Sequence, residues 1–259
     1  MPNQLQRISI APSQLQNQEV ILTVTQEHYL CRVLRLERGD LFVVMDGCGN
    51  WWLVSLQEKL PGQPIKASIL EPILVENELP FQVILLAALP KGNGFDEVVR
   101  QVTELGVSEI IPVKSDRTLL NPSTTKLERW RRIAAEAAEQ SERQIIPQIW
   151  EPISFLESLT LVNSNYGNNS DKYICVTREK CPNLLDCLGD KKNINQTNLP
   201  AIIIGIGPEG GWSLAEIESA YQNGFKPVSL GKRILRAVTA PLVALSLIST
   251  VYESKLLVS

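Results

Sequence analysis

The stretch AIIIGIGPEGGWSLAEI, residues 201–217, decides the fold. Ala201 to Ile206 is apolar or glycine with no alternation, the pattern of a strand covered on both faces in a parallel sheet flanked by helices. It runs into four glycines and one proline within seven residues, Gly205 to Gly211, and then into Ser213-Leu214-Ala215-Glu216, a capping-box pattern that opens a helix. Glycines let a backbone present bare N–H groups, and ligands of open α/β sheets sit beyond the carboxyl ends of strands. The turn therefore reads as a ligand site, with a merely tight turn as its bland alternative. Gly205-x-Gly207-x-x-Gly210 formally satisfies the dinucleotide fingerprint, but its context does not fit. Few strands follow it, and where a ribose-binding acid belongs, about 20 residues on, stands Gly224-Phe225-Lys226.

Working downstream, PVSLGKRILRAVTAPLVALSLI reads as a short strand ending at Leu230, a glycine at 231, a basic run, and an apolar helix. Thr239 and Pro241 lie in the first turn of that helix, which contains Leu242, Leu245 and Ile248. From Lys226 to Arg236 there are four basic residues, Lys226, Lys232, Arg233 and Arg236, and no acid, so an anion belongs here. Two successive strands are expected to end in glycine loops on one edge.

Upstream, Phe81–Leu89, Glu109–Val113 and Lys172–Val176 read as strands, and Leu127–Ser141 as a helix. Phe95, Val98, Val99, Val102 and Leu105 recur at helical spacing up to Gly106. Residues 76–259 thus predict an α/β domain with a mostly parallel sheet. Residues 1–75 predict a small β-barrel from the runs Val20–Val24 and Leu41–Gly47, with a hairpin at Gly47-Cys48-Gly49-Asn50 before Trp51. Between those runs HYLCRVLRL predicts a short helix, with Leu30, Val33 and Leu34 on one side and Arg32, Arg35 and Arg38 towards the other. Pro61, Pro64, Pro72 and Pro80 mark a linker, and Asn163–Asn169 and Asp190–Asn198 read as solvated loops.

Composition narrows the function classes. With 259 residues, 44% hydrophobic and 20% charged, and mean hydropathy near zero, the chain is neither disordered nor a helical membrane protein. No apolar run reaches the ~18 residues of a membrane span and no signal-peptide pattern opens the sequence, so the expected compartment is the cytoplasm. A net charge of −3 argues against a general nucleic-acid binder and leaves a local patch open. Five cysteines and one histidine without zinc-ligand spacing predict no metal. Cys175, Cys181 and Cys187 read as free thiols rather than a redox cluster. His28 has no second histidine to build a triad with, and reads as a packing or RNA-contact residue. The basic residues from Arg117 to Arg143 fit a solvated helix as well as an RNA face. Trp51 and Trp52 offer base stacking or, by strand alternation, a place in a core.

GPEGGWS-x-x-E followed by LG-x-R-I-L-R-x-x-T-A resembles the SPOUT class of knotted methyltransferases, and specifically the ribosomal RNA small-subunit methyltransferase E family. HYLCRVLRLERGD, Lys91, VTELGVSEIIPV and EAAEQSERQIIPQI extend the likeness over nearly the whole chain. The resemblance implies an N-terminal PUA-like barrel that helps hold RNA, a C-terminal domain with a trefoil knot, and a homodimer. It further implies S-adenosylmethionine as cofactor, 16S rRNA of the small ribosomal subunit as substrate, and N3 of a uridine as acceptor. Carried over by motif, Arg236 is the catalytic candidate. Gly207, Pro208, Glu209, Gly210, Gly211, Leu230, Gly231, Ile234, Leu235 and Ala240 enclose the cofactor. Arg32, Arg35, Lys91, Arg143, Lys232 and Arg233 meet RNA. Glu209 either orients its loop or faces the substrate. One position departs from the family pattern R-x-E-T-A: Arg236-Ala237-Val238-Thr239-Ala240 has valine in place of glutamate. That leaves as alternatives a catalytically weakened RNA-binding paralogue, or an enzyme acting on a ribose hydroxyl or another base.

Overall fold

The computed structural model describes residues 5–118, 122–167, 169–177, 179–189 and 201–256; the expected loop Asp190–Asn198 lies outside them. The chain divides into two compact units, Met1–Glu78 with Ala138–Ile146, and Leu79–Ala137 with Pro147–Ser259. Residues 138–146 thus cluster with the first unit, although a division after residue 75 assigns them to the second.

The first unit is a six-stranded sheet of β1 (Arg7–Ser9), β2 (Leu15–Gln16), β3 (Glu19–Ile21), β4 (Leu41–Met45), β5 (Trp51–Leu56) and β6 (Lys66–Ile73), in the order β1-β4-β5-β6-β3-β2. The hairpin joining β4 to β5 forms where the sequence places it. Asp46 closes it by accepting the N–H groups of Cys48 and Asn50 at 2.8 and 3.1 Å. β4 is buried on both faces. Phe42 and Val44 join the core of Ile8, Val20, Leu30 and Val54, while Val43 and Met45 pack with Trp51, Ala138 and Ile146. Trp51 therefore lies in a core, and Trp52 packs on the opposite one.

Three expectations fail in this unit. The run Val20–Val24 ends as strand at Ile21, because Thr23 caps α1 (Val24–His28): its Oγ1 accepts from Gln26 N–H, and Gln26 Oε1 accepts from Thr23 N–H at 2.9 Å. The expected linker contains β6, which pairs with β5 and β3 despite Pro72 near its end. The short helix expected at HYLCRVLRL is present, as a π-helix Tyr29–Val33 that continues α1 and buries Leu30, but Val33, expected on the apolar side with it, is 57% exposed.

The second unit is a sheet of parallel strands: β7 (Val83–Ala88), β8 (Glu109–Lys114), β9 (Gln148–Ile149), β10 (Ile153–Ser154), β11 (Ser170–Cys175), β12 (Ala201–Ile206) and β13 (Lys226–Val228). The order is β10-β8-β7-β12-β11-β13, with β9 also on β8 and every pairing parallel. β7 and β12 are buried at every residue, as their unbroken apolar runs require. The helices are α2 (Gly94–Glu104), α3 (Thr124–Gln140), α4 (Phe155–Tyr166), α5 (Leu184–Gly189), α6 (Leu214–Gln222) and α7 (Thr239–Leu256). α4 takes in Asn163 to Tyr166, which the sequence reading leaves as loop. α7 packs against α2, α5 and β12. Among the described residues no helix is long and apolar enough to cross a membrane.

Candidate active site at the carboxyl edge of the parallel sheet

Because all strands of the second unit run the same way, the loops after β7, β8, β12 and β13 emerge on one edge. The two glycine loops share that edge but are not neighbours: β11 lies between β12 and β13, so their strand ends stand about 10 Å apart.

The first loop, 207–213, is pinned from two sides. Lys91 N–H, in the loop after β7, donates to Glu209 Oε1 at 3.1 Å. Arg117, in the loop after β8, donates to the Gly210 carbonyl. Gly211 N–H closes a turn onto Pro208 O at 2.8 Å. The capping box forms as its sequence predicts: Ser213 N–H donates to Glu216 Oε2 at 2.7 Å, and Glu216 N–H to Ser213 Oγ at 3.2 Å. Glu216, only 5% exposed, also accepts Asp116 N–H at 3.0 Å, and Ser213 Oγ donates to Asp116 Oδ2 at 2.6 Å. Trp212 is buried behind Gly207 and stacks at a tilt on Phe155, their ring centroids 4.6 Å apart.

The second loop, 229–238, is tied at its start to the segment after β11, where Ser229 N–H donates to Pro182 O and Leu184 N–H donates to Ser229 O, at 2.9 Å each. Gly231 N–H donates to Ser229 Oγ at 3.0 Å, and Ser229 Oγ donates to Gly231 O at 3.1 Å. Gly231 has φ +119°, a conformation that favours glycine, and the space a Cβ would take is open. Lys232, Arg233, Ile234 and Arg236 are exposed, while Leu230, Leu235 and Ala240 are half-buried. The Arg236 carbonyl accepts the N–H groups of Thr239 and Ala240 at 2.9 Å each, which fixes its backbone at the start of α7. Val238 lies against Gly94, the first residue of α2, where a Cβ would meet Val238 Cγ1 at 2.7 Å. Position 238 thus holds a packed methyl group and no carboxylate.

Lys91 is exposed on the same edge. Arg32 and Arg35 are exposed in the first unit. Arg143, expected on RNA, is 4% exposed with its guanidinium on Glu78, the shortest contact being 2.7 Å. That pair is a buried tie within the first unit, and Arg143 is spent on it. The pinning residues Asp116, Arg117 and Glu216 carry no site assignment in the sequence reading. Glu216 shows there only as a cap, and nothing in the spacing announces the other two. All five cysteines are free, and burial pushes the Cys175 thiol well above its ordinary value.

An α/β sheet with a glycine-lined, cation-bearing carboxyl edge defines a ligand-binding enzyme domain, and residues 77–249 match the family model of an RNA methyltransferase domain. A ribosomal RNA small subunit methyltransferase E from Synechocystis is 48% identical over 249 residues, 96% of this chain and 78% of that protein. Its Bacillus subtilis counterpart is 31% identical over 91% of each chain. The crystal structure of a ribosomal RNA small subunit methyltransferase E from Neisseria gonorrhoeae bound to S-adenosyl methionine aligns with 96% of this chain and 98% of its own, at TM-score 0.81 and 31% identity. This chain belongs to the ribosomal RNA small subunit methyltransferase E family.

Proposed function

We propose that the protein methylates N3 of a uridine in 16S rRNA of the small ribosomal subunit, using S-adenosylmethionine. The observation that carries this reading is the shared edge: a rigid glycine loop and a loop of exposed cations on parallel strands about 10 Å apart. The residues fit the cofactor. Apart from their own chain neighbours, no atom lies within 4 Å of the Cβ places of Gly211 and Gly231, so the backbone there is open to a flat nucleoside. Half-buried Leu230 and Leu235 offer apolar surface beside it. When bound, S-adenosylmethionine supplies an already activated methyl on its sulfonium. The protein has to position uracil and stabilise the anion that develops as N3 loses its proton. Arg236 suits the second task because its guanidinium stays charged and its planar fork matches carbonyl oxygens. Lys232, Arg233 and Lys91 meet phosphate around the target, and Arg32 and Arg35 of the first unit, read as a PUA-like barrel, hold flanking RNA.

The same reading includes the knotted SPOUT chain path and a cytoplasmic homodimer. Leu214 and Ile234, 81% and 64% exposed at this edge, supply apolar surface for a second copy. Calorimetry with S-adenosylmethionine, with and without 16S rRNA fragments, tests the site; absence of binding in both conditions overturns it. Mass spectrometry of rRNA nucleosides from cells lacking the protein tests the substrate: loss of 3-methyluridine is expected, and its persistence overturns the assignment.

A further inference from the structure

Removal of the uracil N3 proton needs an acceptor, and the run Arg236-Ala237-Val238-Thr239-Ala240 holds no acid. The acids at the carboxyl edge can be sorted by what already occupies them. Glu216 is buried and accepts the N–H groups of Ser213 and Asp116. Asp116 takes the Ser213 hydroxyl. In the first turn of α2, Asp96 holds the Arg129 guanidinium at 2.8 Å and the Trp130 indole N–H at 3.0 Å, and Glu97 accepts from Gln101. Glu179 accepts the Tyr221 hydroxyl at 3.1 Å, near the far end of α6 from this edge. Glu209 differs. It is exposed, Lys91 N–H fixes only its Oε1, and among the described residues no hydrogen bond is made to its Oε2. Its anchor Lys91 is three residues before Gly94, which abuts Val238, itself two residues beyond Arg236. One oriented carboxylate and one arginine thus belong to the same short circuit of contacts.

We infer that Glu209 is the base of the reaction: its Oε2 takes the N3 proton of the target uridine while Arg236 steadies the charge on the flanking carbonyl oxygens. The step balances. The N3–H electron pair stays on nitrogen and forms the new bond to the sulfonium methyl carbon of S-adenosylmethionine. The carbon–sulfur pair remains on sulfur as the neutral thioether, and the proton leaves from Glu209 to water after release. A carboxylate holding one backbone N–H on one oxygen and presenting the other meets the geometric requirement for general-base catalysis. This inference rests on the proposed uridine methylation.

Single-turnover methyl transfer by wild type, Glu209→Gln and Glu209→Asp tests it, on 16S rRNA fragments carrying uridine or 5-fluorouridine at the target. Fluorine makes the N3 proton more acidic, so a lost base matters less. Glu209→Gln still offers Oε1 to Lys91 N–H, and is expected to keep its melting temperature and, by calorimetry, its S-adenosylmethionine affinity within about twofold. General-base removal predicts a loss on uridine of about 100-fold or more, shrinking to less than about 10-fold on 5-fluorouridine and shrinking likewise as pH is raised. Glu209→Asp keeps a carboxylate and should fall between the two. An equal fold-loss on both substrates, or a fall in cofactor affinity that accounts for the loss, overturns the assignment and leaves Glu209 as a loop anchor. If the wild type transfers no methyl to either RNA, the proposed function fails, and the inference with it.

Discussion

The two glycine loops at the carboxyl edge are built on opposite plans. Loop 207–213 is bonded to the loops after β7 and β8 through Glu209, Gly210 and Ser213. In loop 229–238 the outside bonds sit near its ends, Ser229 on Pro182 and Leu184 and the Arg236 carbonyl on the start of α7, the Ser229–Gly231 bonds are internal, and four large side chains stand exposed. A wall that must keep its shape against a small cofactor is held by neighbours. A surface that must meet a charged polymer presents long cations instead. Arginine therefore does different work beside the two loops: Arg117, on the loop after β8, braces the backbone of the first, whereas Arg236 stands exposed on the second.

The sharpest way to break this contrast is Arg236→Ala. If the second loop supplies charge to the reaction, the variant loses about 100- to 1,000-fold in methyl transfer, the cost typical of a lost transition-state donor, while its calorimetric cofactor affinity stays within a few-fold. Equal losses of both would mean that Arg236 is wall, not reagent. Arg236→Lys keeps the charge but not the fork, and should remain well below wild type.

The next largest effect belongs to the pinned loop. Glu216→Ala strips the acceptor from two N–H groups, Ser213 and Asp116, at a buried node. A cost of about 2 kcal/mol in unfolding free energy is expected from orphaned buried donors, together with weaker cofactor binding. Ser229→Ala removes a hydroxyl from the exposed loop, and should cost less than about 1 kcal/mol. Urea melts of the two variants make the comparison; similar losses would erase the distinction between the loops.

Much of this architecture is legible in the sequence where the physics is local. β12 begins and ends at the residues its apolar run gives, and Ser213-x-x-Glu216 forms the cap it spells. Both are determined within a few residues. β6 is different: Pro72 and Glu71 hide a strand that only its pairing with β5 and β3 stabilises. The second face of β4 is covered by Ala138 and Ile146, about a hundred residues away in sequence, so no window on the chain reveals why LFVVM is apolar throughout. Arg143 misleads for the same reason, since its partner Glu78 is 65 residues distant. α4 carries a readable signal in Ser154-x-x-Glu157, which forms a full capping box, but its asparagine-rich end reads as loop. At the site, glycines and cations mark the two loops, whereas the bracing of the first by Asp116 and Arg117 comes from the parallel register of β8, which puts a third loop on the same edge.

The smallest predicted effect separates the cations of the two loops by salt alone. Lys232 and Arg233 are exposed on the second loop and adjoin Arg236, so each is expected to neutralise one phosphate of bound RNA. Releasing a condensed counterion per contact makes affinity fall with salt, with a slope near 0.7 per contact on single strands. Lys232→Ala/Arg233→Ala should therefore lower the slope of log K against log salt by about 1.4, with S-adenosylmethionine affinity untouched. Arg117 is equally cationic and exposed, but its guanidinium is committed to the Gly210 carbonyl. Arg117→Ala should do the reverse, weakening cofactor binding while leaving the salt slope where it was. A slope that drops by the same amount in both variants would show that charge, and not what each side chain is bonded to, decides which loop the RNA meets.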